Sequence, residues 1–210
     1  MTASHPSDAG AFWNERYGAD AFAFGTEPND FLRDVADQLT VGDALCIGDG
    51  EGRNGVFLAR LGHRVTTVDL SEVGVRKARE LAASQQVSID AVVGDLAVWD
   101  MGTARWDTIV SVFCHLPSAL RHAVHGAVRR ALRPGGSFVL EAYRSENIGR
   151  GVGGPQDVDL VVELADLQRE FDGFDIRIAR TVERDIHEGV YHNGMSATTQ
   201  FLARAPGATR

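Results

Sequence analysis

Glycines at 48, 50, 52 and 55, within Ala44–Gly55 (ALCIGDGEGRNG), and an aspartate at 69 have the types and spacing that speak most directly of chemistry. A loop built of glycines lets backbone N–H groups approach a ligand closely, because a Cβ would forbid both the tight turn and the contact. Asp69 stands twenty-one residues after Gly48 and ends the apolar run Arg64–Val68. A carboxylate at that spacing accepts hydrogen bonds from both hydroxyls of a ribose. Loop and acid together predict a nucleoside cofactor held by strand, turn and helix. The string GEGRNG at 50–55 also satisfies the dinucleotide pattern GxGxxG, which makes a nicotinamide cofactor the rival at this level.

The elements that must position these residues follow from periodicity. Ala44–Ile47 reads as a short strand, and Val56, Phe57, Leu58, Ala59 and Leu61 mark a helix that ends at Gly62. Ser71 is a predicted N-cap for a helix through about Ala83. Ile89–Val93 reads as a third strand ending in Gly94-Asp95-Leu96, and Trp106–Phe113 as a fourth ending in Cys114-His115-Leu116-Pro117. A helix from Ser118 stops at Pro134-Gly135-Gly136, before a fifth strand at Ser137–Ala142. This alternation predicts an α/β fold, a doubly wound parallel sheet with helices on both faces.

The two ends of the chain differ from this middle. Tyr143–Asp159 reads as a long loop rich in Gly and Asp, of a length that is often functional. A helix over Val161–Phe171 follows, then strands at Phe174–Asp185 and Met195–Ala203, an antiparallel hairpin whose turn, HEGVYHNG, holds His187 and His192. Residues 1–10 are small and polar and are expected to be disordered. FWNERY (12–17) places Trp13 and Tyr17 on one helical face, and a second helix has Pro28 in its first turn and Phe31, Leu32, Val35, Ala36 and Leu39 as its stripe. These elements, over residues 11–40, are expected to form a helical cover on the cofactor end of the sheet. With no repeat or linker in the way, 1–210 is expected to be a single domain.

Composition narrows the function. The chain of 210 residues carries 21 Lys+Arg against 29 Asp+Glu, a net charge of −8 with no basic block, which argues against a nucleic-acid partner. Cys46 and Cys114 have no metal-ligand spacing, no metal site is expected, and Cys46 falls in mid-strand as core. The N-terminal stretch lacks a signal-peptide pattern and no apolar run is long enough for a membrane span, so a cytoplasmic protein without a membrane partner is expected.

With these residues in view, the chain from about Phe12 to Ala203 resembles the class I S-adenosylmethionine-dependent methyltransferases. The glycine loop, the acid of VTTVDLS, the acid of VVGDL and LRPGG before the fifth strand occur in that family's order and spacing. FGTEPNDFL, GEGRNGVFLA, FCHLPS, GGPQDVDL and EGVYHNG resemble the bacterial tellurite-resistance-type branch of small-molecule methyltransferases, related more distantly to thiopurine methyltransferases. The resemblance implies a Rossmann-like seven-stranded, mostly parallel sheet with an antiparallel last strand and an N-terminal helical lid. It also implies S-adenosylmethionine as cofactor and S-adenosylhomocysteine as product. Carried over by position, Gly48, Gly50 and Gly52 lie beneath the methionine moiety. Asp69 takes the ribose hydroxyls, Leu70 contacts adenine, Asp95 accepts from the adenine amino group with Leu96 beside the ring, and Phe113 and Cys114 border the sulfonium. Many family members have an acid where Cys46 stands; here Asp49 or Glu51 is left to hold the methionine amino group. Asp95, the late hairpin and the bulk of Arg53-Asn54 count against the dinucleotide.

Methyl transfer is an in-line displacement that needs alignment and a dry pocket, and a general base only where the nucleophile keeps its proton at neutral pH. His115 and His192 are the candidate catalytic residues, each with an ordinary hydrogen-bonded loop histidine as the alternative. His187 is expected in solvent. Trp13, Tyr17, Phe24 and Arg184 are candidates for the substrate pocket, with packing or a surface ion pair as alternatives; Trp99 and Trp106 read as packing. The leading acceptor is a soft nucleophile, a thiol or a selenium or tellurium compound, from the branch resemblance. An oxygen or nitrogen of a small metabolite is the alternative, and a non-catalytic S-adenosylmethionine-binding protein the second. A monomer or homodimer is expected.

Overall fold

The computed structural model describes residues 6–207 and places seven strands in one sheet. In chain order the elements are α1 (Pro6–Arg16), α2 (Asp30–Val35), β1 (Asp43–Ile47), α3 (Arg53–Arg60), β2 (Arg64–Asp69), α4 (Glu72–Ser84) and β3 (Asp90–Val93). They continue as β4 (Trp106–Val112), α5 (Ser118–Ala131), β5 (Leu132–Tyr143), α6 (Leu164–Glu170), β6 (Asp175–Glu188) and β7 (His192–Arg204). The sheet order is β3-β2-β1-β4-β5-β7-β6, and β7 alone runs antiparallel, to both of its neighbours.

Alternation along the central strands explains the layering. Leu45 and Ile47 of β1 face a core completed by Val124 and Val128 of α5 and by Leu167 and Phe171. Ala44 and Cys46 face the opposite core, with Phe31, Leu32 and Val35 of α2 and Leu58 of α3. Both faces of β1 are apolar because a parallel sheet is covered twice. Each fully buried Phe or Leu contributes about 1.5–3 kcal/mol, so the sheet centre anchors everything at its edges. Ser71 caps α4 as expected, accepting from the Gly74 N–H. Trp106 is buried with its indole N–H on the Met101 carbonyl, a packing role.

Three expectations are corrected. Helix α1 already begins at Pro6, so residues 6–10 are helical; residues 1–5 lie outside the described residues. Pro28 precedes α2, which is capped by the Asn29 side chain, and α2 packs on a sheet face rather than over the cofactor end. The hairpin strands reach further than their composition suggests, leaving Gly189–Tyr191 as the turn, so His187 and His192 lie in strands. His187 is exposed and meets Asp185 at 3.0 Å. Among the described residues no helix is long and apolar enough to cross a membrane.

Candidate active site

Strand order reverses direction at β1, so the crevice outside the carboxyl ends of β1 and β4 is the topological switch point where open α/β sheets bind ligands. Ile47 of β1 is in register with Ser111 of β4, which brings the glycine loop against the residues that follow β4. Gly48, Gly50 and Gly52 have φ of +60°, +55° and +87°, conformations that side chains rarely adopt. Space forbids side chains as well. A Cβ on Gly48 would stand 2.5 Å from Cys114 Sγ, and one on Gly50 2.5 Å from the Tyr17 hydroxyl. Gly52 caps α3 and lets the loop pass against Ala78 of α4.

A cavity of about 860 Å³ opens from this crevice, within the range of small-molecule sites. Its wall contains Gly48, Asp69, Leu70, Asp95, Leu96, Phe113, Cys114, His115 and His192, and also Trp13, Tyr17 and Phe24. Gly50 and Gly52 shape the loop without lining the wall.

Asp69 ends β2 with one carboxylate oxygen on the Gly50 N–H and the other on the Ser71 N–H, both at 2.8 Å. Burial raises its carboxyl, against the backbone N–H bonds that lower it. Each oxygen keeps a second lone pair for a ligand hydroxyl. Asp95, one strand over, binds the Ala97 N–H at 2.9 Å. Asp49 accepts from the Gly55 N–H at 3.0 Å and lines the cavity; burial pushes its carboxyl up to about 7. Glu51 is committed elsewhere, to Lys77 at 2.6 Å and to the Ala23 N–H at 2.7 Å. Of the two acids considered for the methionine amino group, only Asp49 is uncommitted to a cation. Cys46 is buried in the core, as expected of mid-strand.

The roof is aromatic. Trp13 stacks on Tyr17 at 5.5 Å, and Phe24 stands 6.2 Å from Tyr17 and 4.5 Å from the His192 ring. The hairpin turn closes the far side, with the Val190 N–H on the Ala23 carbonyl at 2.8 Å and Arg16 over the Tyr191 ring at 4.0 Å. Gly153, Gly154 and Pro155 of the loop after β5 complete the wall.

Phe113 has φ of +51°, unusual for a bulky residue, while its N–H still bonds Glu141 at 2.8 Å. Strain of this kind, about 1–3 kcal/mol, concentrates at functional sites. Burial raises the Cys114 thiol to about 12, so the group is a neutral, small apolar contact. Burial, with the His192 charge as a lesser cause, drives the His115 imidazole down to about 3, and both its ring nitrogens are buried without a partner. His192 is lowered by burial against the pull of Glu188.

Arg184 is the misplaced candidate. It forms a two-bond clasp with fully buried Glu141 (3.0 and 2.8 Å) and reaches Asp30 at 2.9 Å and Glu188 at 3.2 Å, away from the cavity wall. The pairs bridge β6 to β5 and α2, a structural ion network. Sequence reasoning missed the pairing of Arg53, in the wall, with Glu188 behind it, at 2.6 Å. The Gly189 turn after Glu188 was their one local signal.

Residues 44–136 match the methyltransferase domain family. A curated relative, the 2-heptyl-1-hydroxyquinolin-4(1H)-one methyltransferase of Mycobacteroides abscessus, is 23% identical over 140 residues; the match covers 65% of this chain and 62% of the relative. The protein solved in a study of disulfide-to-thioacetal conversion in echinomycin biosynthesis superposes with a TM-score of 0.77 at 17% identity, over 97% of this chain and 93% of the other. TehB from Haemophilus influenzae superposes at 0.71 and 18% identity, over 93% and 66%. A further structure of this fold holds S-adenosylhomocysteine. The site fits that group on its own geometry: a glycine loop packed so closely on Cys114, Tyr17 and Ala78 that it admits no side chain, carboxylates at the end of β2 and just past β3, and a cavity large enough for nucleoside and amino acid together. Residues 44–136 thus match a methyltransferase domain, and the described chain shares the Rossmann-like fold of solved S-adenosylmethionine-dependent methyltransferases.

Proposed function

We propose that the protein transfers the methyl group of S-adenosylmethionine to a small molecule. The supporting observation is that Asp69 and Asp95, from adjacent parallel strands, open with the glycine loop onto one cavity. Asp69 takes the ribose hydroxyls on its remaining lone pairs, and Asp95 takes the adenine amino group, with Leu70 and Leu96 flanking the ring. Gly48 gives the methionine moiety room, Gly50 and Gly52 set the turn into α3, and Asp49 accepts hydrogen bonds from the ammonium. Phe113 and Cys114 border the sulfonium, and Trp13, Tyr17 and Phe24 keep water out. Bound there, the cofactor supplies an electrophilic methyl group on sulfur.

An oxygen or nitrogen acceptor with a proton to lose is the better-supported class. Two imidazoles, His115 and His192, stand in the wall, and the curated relative is named for a hydroxyquinolone. The soft-nucleophile class has the branch resemblance behind it, and TehB shares the fold. Calorimetry with S-adenosylmethionine, S-adenosylhomocysteine and NADH tests the cofactor: micromolar binding of the first two is expected, and preference for NADH would sink the reading. Release of S-adenosylhomocysteine across hydroxyl, amine, thiol and selenol acceptors then sorts the classes, and tight binding with no turnover on any would mark a non-catalytic binder.

A further inference from the structure

The hairpin turn returns the chain so that Glu188, last in β6, pairs across it with His192, first in β7. Both side chains are buried, and Glu188 Oε2 lies 3.7 Å from His192 Nδ1. Burial pushes the Glu188 carboxyl up, but His192, Arg53 and Arg184 outweigh it and hold the group at about 2. Its oxygens are bonded by Arg53 (2.6 Å), Asn29 (3.1 Å) and Arg184 (3.2 Å). At 3.7 Å the two do not hydrogen-bond, and Nδ1 is buried with no hydrogen-bond partner among the described residues. The nearby carboxylate charge still favours hydrogen on Nδ1, which leaves the Nε2 lone pair on the opposite edge as a base. His192 lines the cavity, its ring 4.8 Å from Phe113 and 4.5 Å from Phe24.

The wall beside it is flat and apolar. Tyr143, fully buried, lies behind two cavity rings, Phe113 at 4.7 Å and 26° and His115 at 5.6 Å and 23°. The cations of the wall are engaged: Arg53 with Glu188, and Arg16 over the Tyr191 ring.

We propose that the acceptor is a flat, uncharged aromatic or heteroaromatic molecule bearing a hydroxyl, whose proton passes to His192 held in place by Glu188. This rests on the methyltransferase reading above. As the oxygen forms its bond to the methyl carbon, the sulfur–methyl bond breaks with its electron pair kept by sulfur. The hydroxyl proton moves to His192 Nε2. The imidazolium so formed is stabilised by Glu188 and afterwards releases the proton to solvent. Glu188 touches no substrate; it is a positioning residue. The groups that set the His192 charge are Glu188 and Arg184 from β6 and Arg53 from α3; Tyr143 from β5 meets its ring edge-on, and His115 after β4 is itself lowered by the His192 charge.

The test compares flat acceptors, 2-naphthol and hydroxyquinolines, with 2-naphthalenethiol, which is already ionised in mild base. His192→Ala is expected to cut hydroxyl turnover at least about 100-fold, with thiol turnover changed only a few-fold. 15N NMR of histidine-labelled protein is expected to show His192 with hydrogen on Nδ1. In Glu188→Gln the acidic limb of kcat/KM for the hydroxyl acceptor moves to lower pH, because a carboxylate that favoured the imidazolium is gone; Glu188→Asp restores part of the shift. Hydroxyl turnover untouched in His192→Ala, hydrogen on Nε2, or bound cofactor with no hydroxyl acceptor turned over would each overturn the proposal. Failure to bind S-adenosylmethionine would instead remove the methyltransferase reading, leaving the tautomer result to stand alone.

Discussion

Asp49→Asn separates what the glycine loop does for stability from what it does for binding. Burial lifts the Asp49 carboxyl from an ordinary 3.8 to about 7, opposed by the Gly55 N–H bond and the Arg53 charge, with the Asp69 charge adding to the rise. A group whose folded pKa is raised favours the folded state fully below the unfolded pKa, and that favour is lost as pH climbs through the folded pKa. At about 1.4 kcal/mol per pH unit the rise is worth on the order of 4 kcal/mol above pH 7. The carboxylate borders an open cavity where solvent screens it, so about 2 kcal/mol is the working figure. Asparagine keeps an oxygen for the Gly55 N–H but cannot ionise. More than a third of that loss has already accrued by pH 5, so guanidinium denaturation at pH 5 and pH 8.5 is expected to show the variant gaining about 1 kcal/mol on the wild type at the higher pH relative to the lower. Calorimetry is expected to show S-adenosylmethionine binding weakened at least tenfold, since the ammonium loses its carboxylate. A stability difference that does not change with pH would refute the buried-acid argument, and unchanged affinity would refute the ammonium assignment.

Asp69→Ala removes the proposed acceptor for both ribose hydroxyls; at about 1.5–3 kcal/mol for each charge-assisted bond, calorimetry should record at least a 100-fold loss of S-adenosylhomocysteine affinity. Gly50→Ala sets a Cβ 2.5 Å from the Tyr17 hydroxyl at a φ of +55°, and is expected to cost about 1–3 kcal/mol of stability, part of it recovered in thermal unfolding by adding Tyr17→Phe. Arg184→Met leaves fully buried Glu141 without its clasp; denaturation should show a loss of about 3–5 kcal/mol, with cofactor affinity in surviving folded protein nearly unchanged because Arg184 lies off the cavity wall.

What was legible in the sequence was local or periodic. Strand–helix alternation located β1 to β5 because each element carries its own signal, and Asp69 at the end of β2 comes beside Asp95, just past β3, because parallel register pairs Asp69 with Val93, two residues before Asp95. Arg184 was not legible, since its partners Glu141 and Asp30 stand 43 and 154 residues away and meet it only through the β5–β7–β6 pairing. The stripe of α2 announced a buried face without saying which layer would receive it. WDTIVSVF reads as uninterrupted strand, yet the chain turns at Phe113 with a left-handed φ that no glycine advertises. The hairpin misled in the opposite sense. Two glycines in EGVYHNG suggest a wide loop, but Gly194 sits inside β7 at φ +121°, where a Cβ would meet Val152 at 2.7 Å.

The departure at Cys46 has a physical resolution that only the folded chain displays. Position 46 faces a core of Phe31, Leu32 and Leu58, where an ionised acid would be unpaired and costly. The acid stands instead at Asp49, three residues on, past the strand end. There the Gly55 N–H can cap it, and a side chain at 55 would displace it, because a Cβ would lie 2.8 Å from its oxygen. A carboxyl so placed titrates near neutrality, so a bound ammonium would draw it fully into the ionised state and release a fraction of a proton. Moving the acid off the strand frees the core face of β1 for apolar packing, and under the proposed ammonium assignment it would couple the affinity of the methionine end of the site to pH.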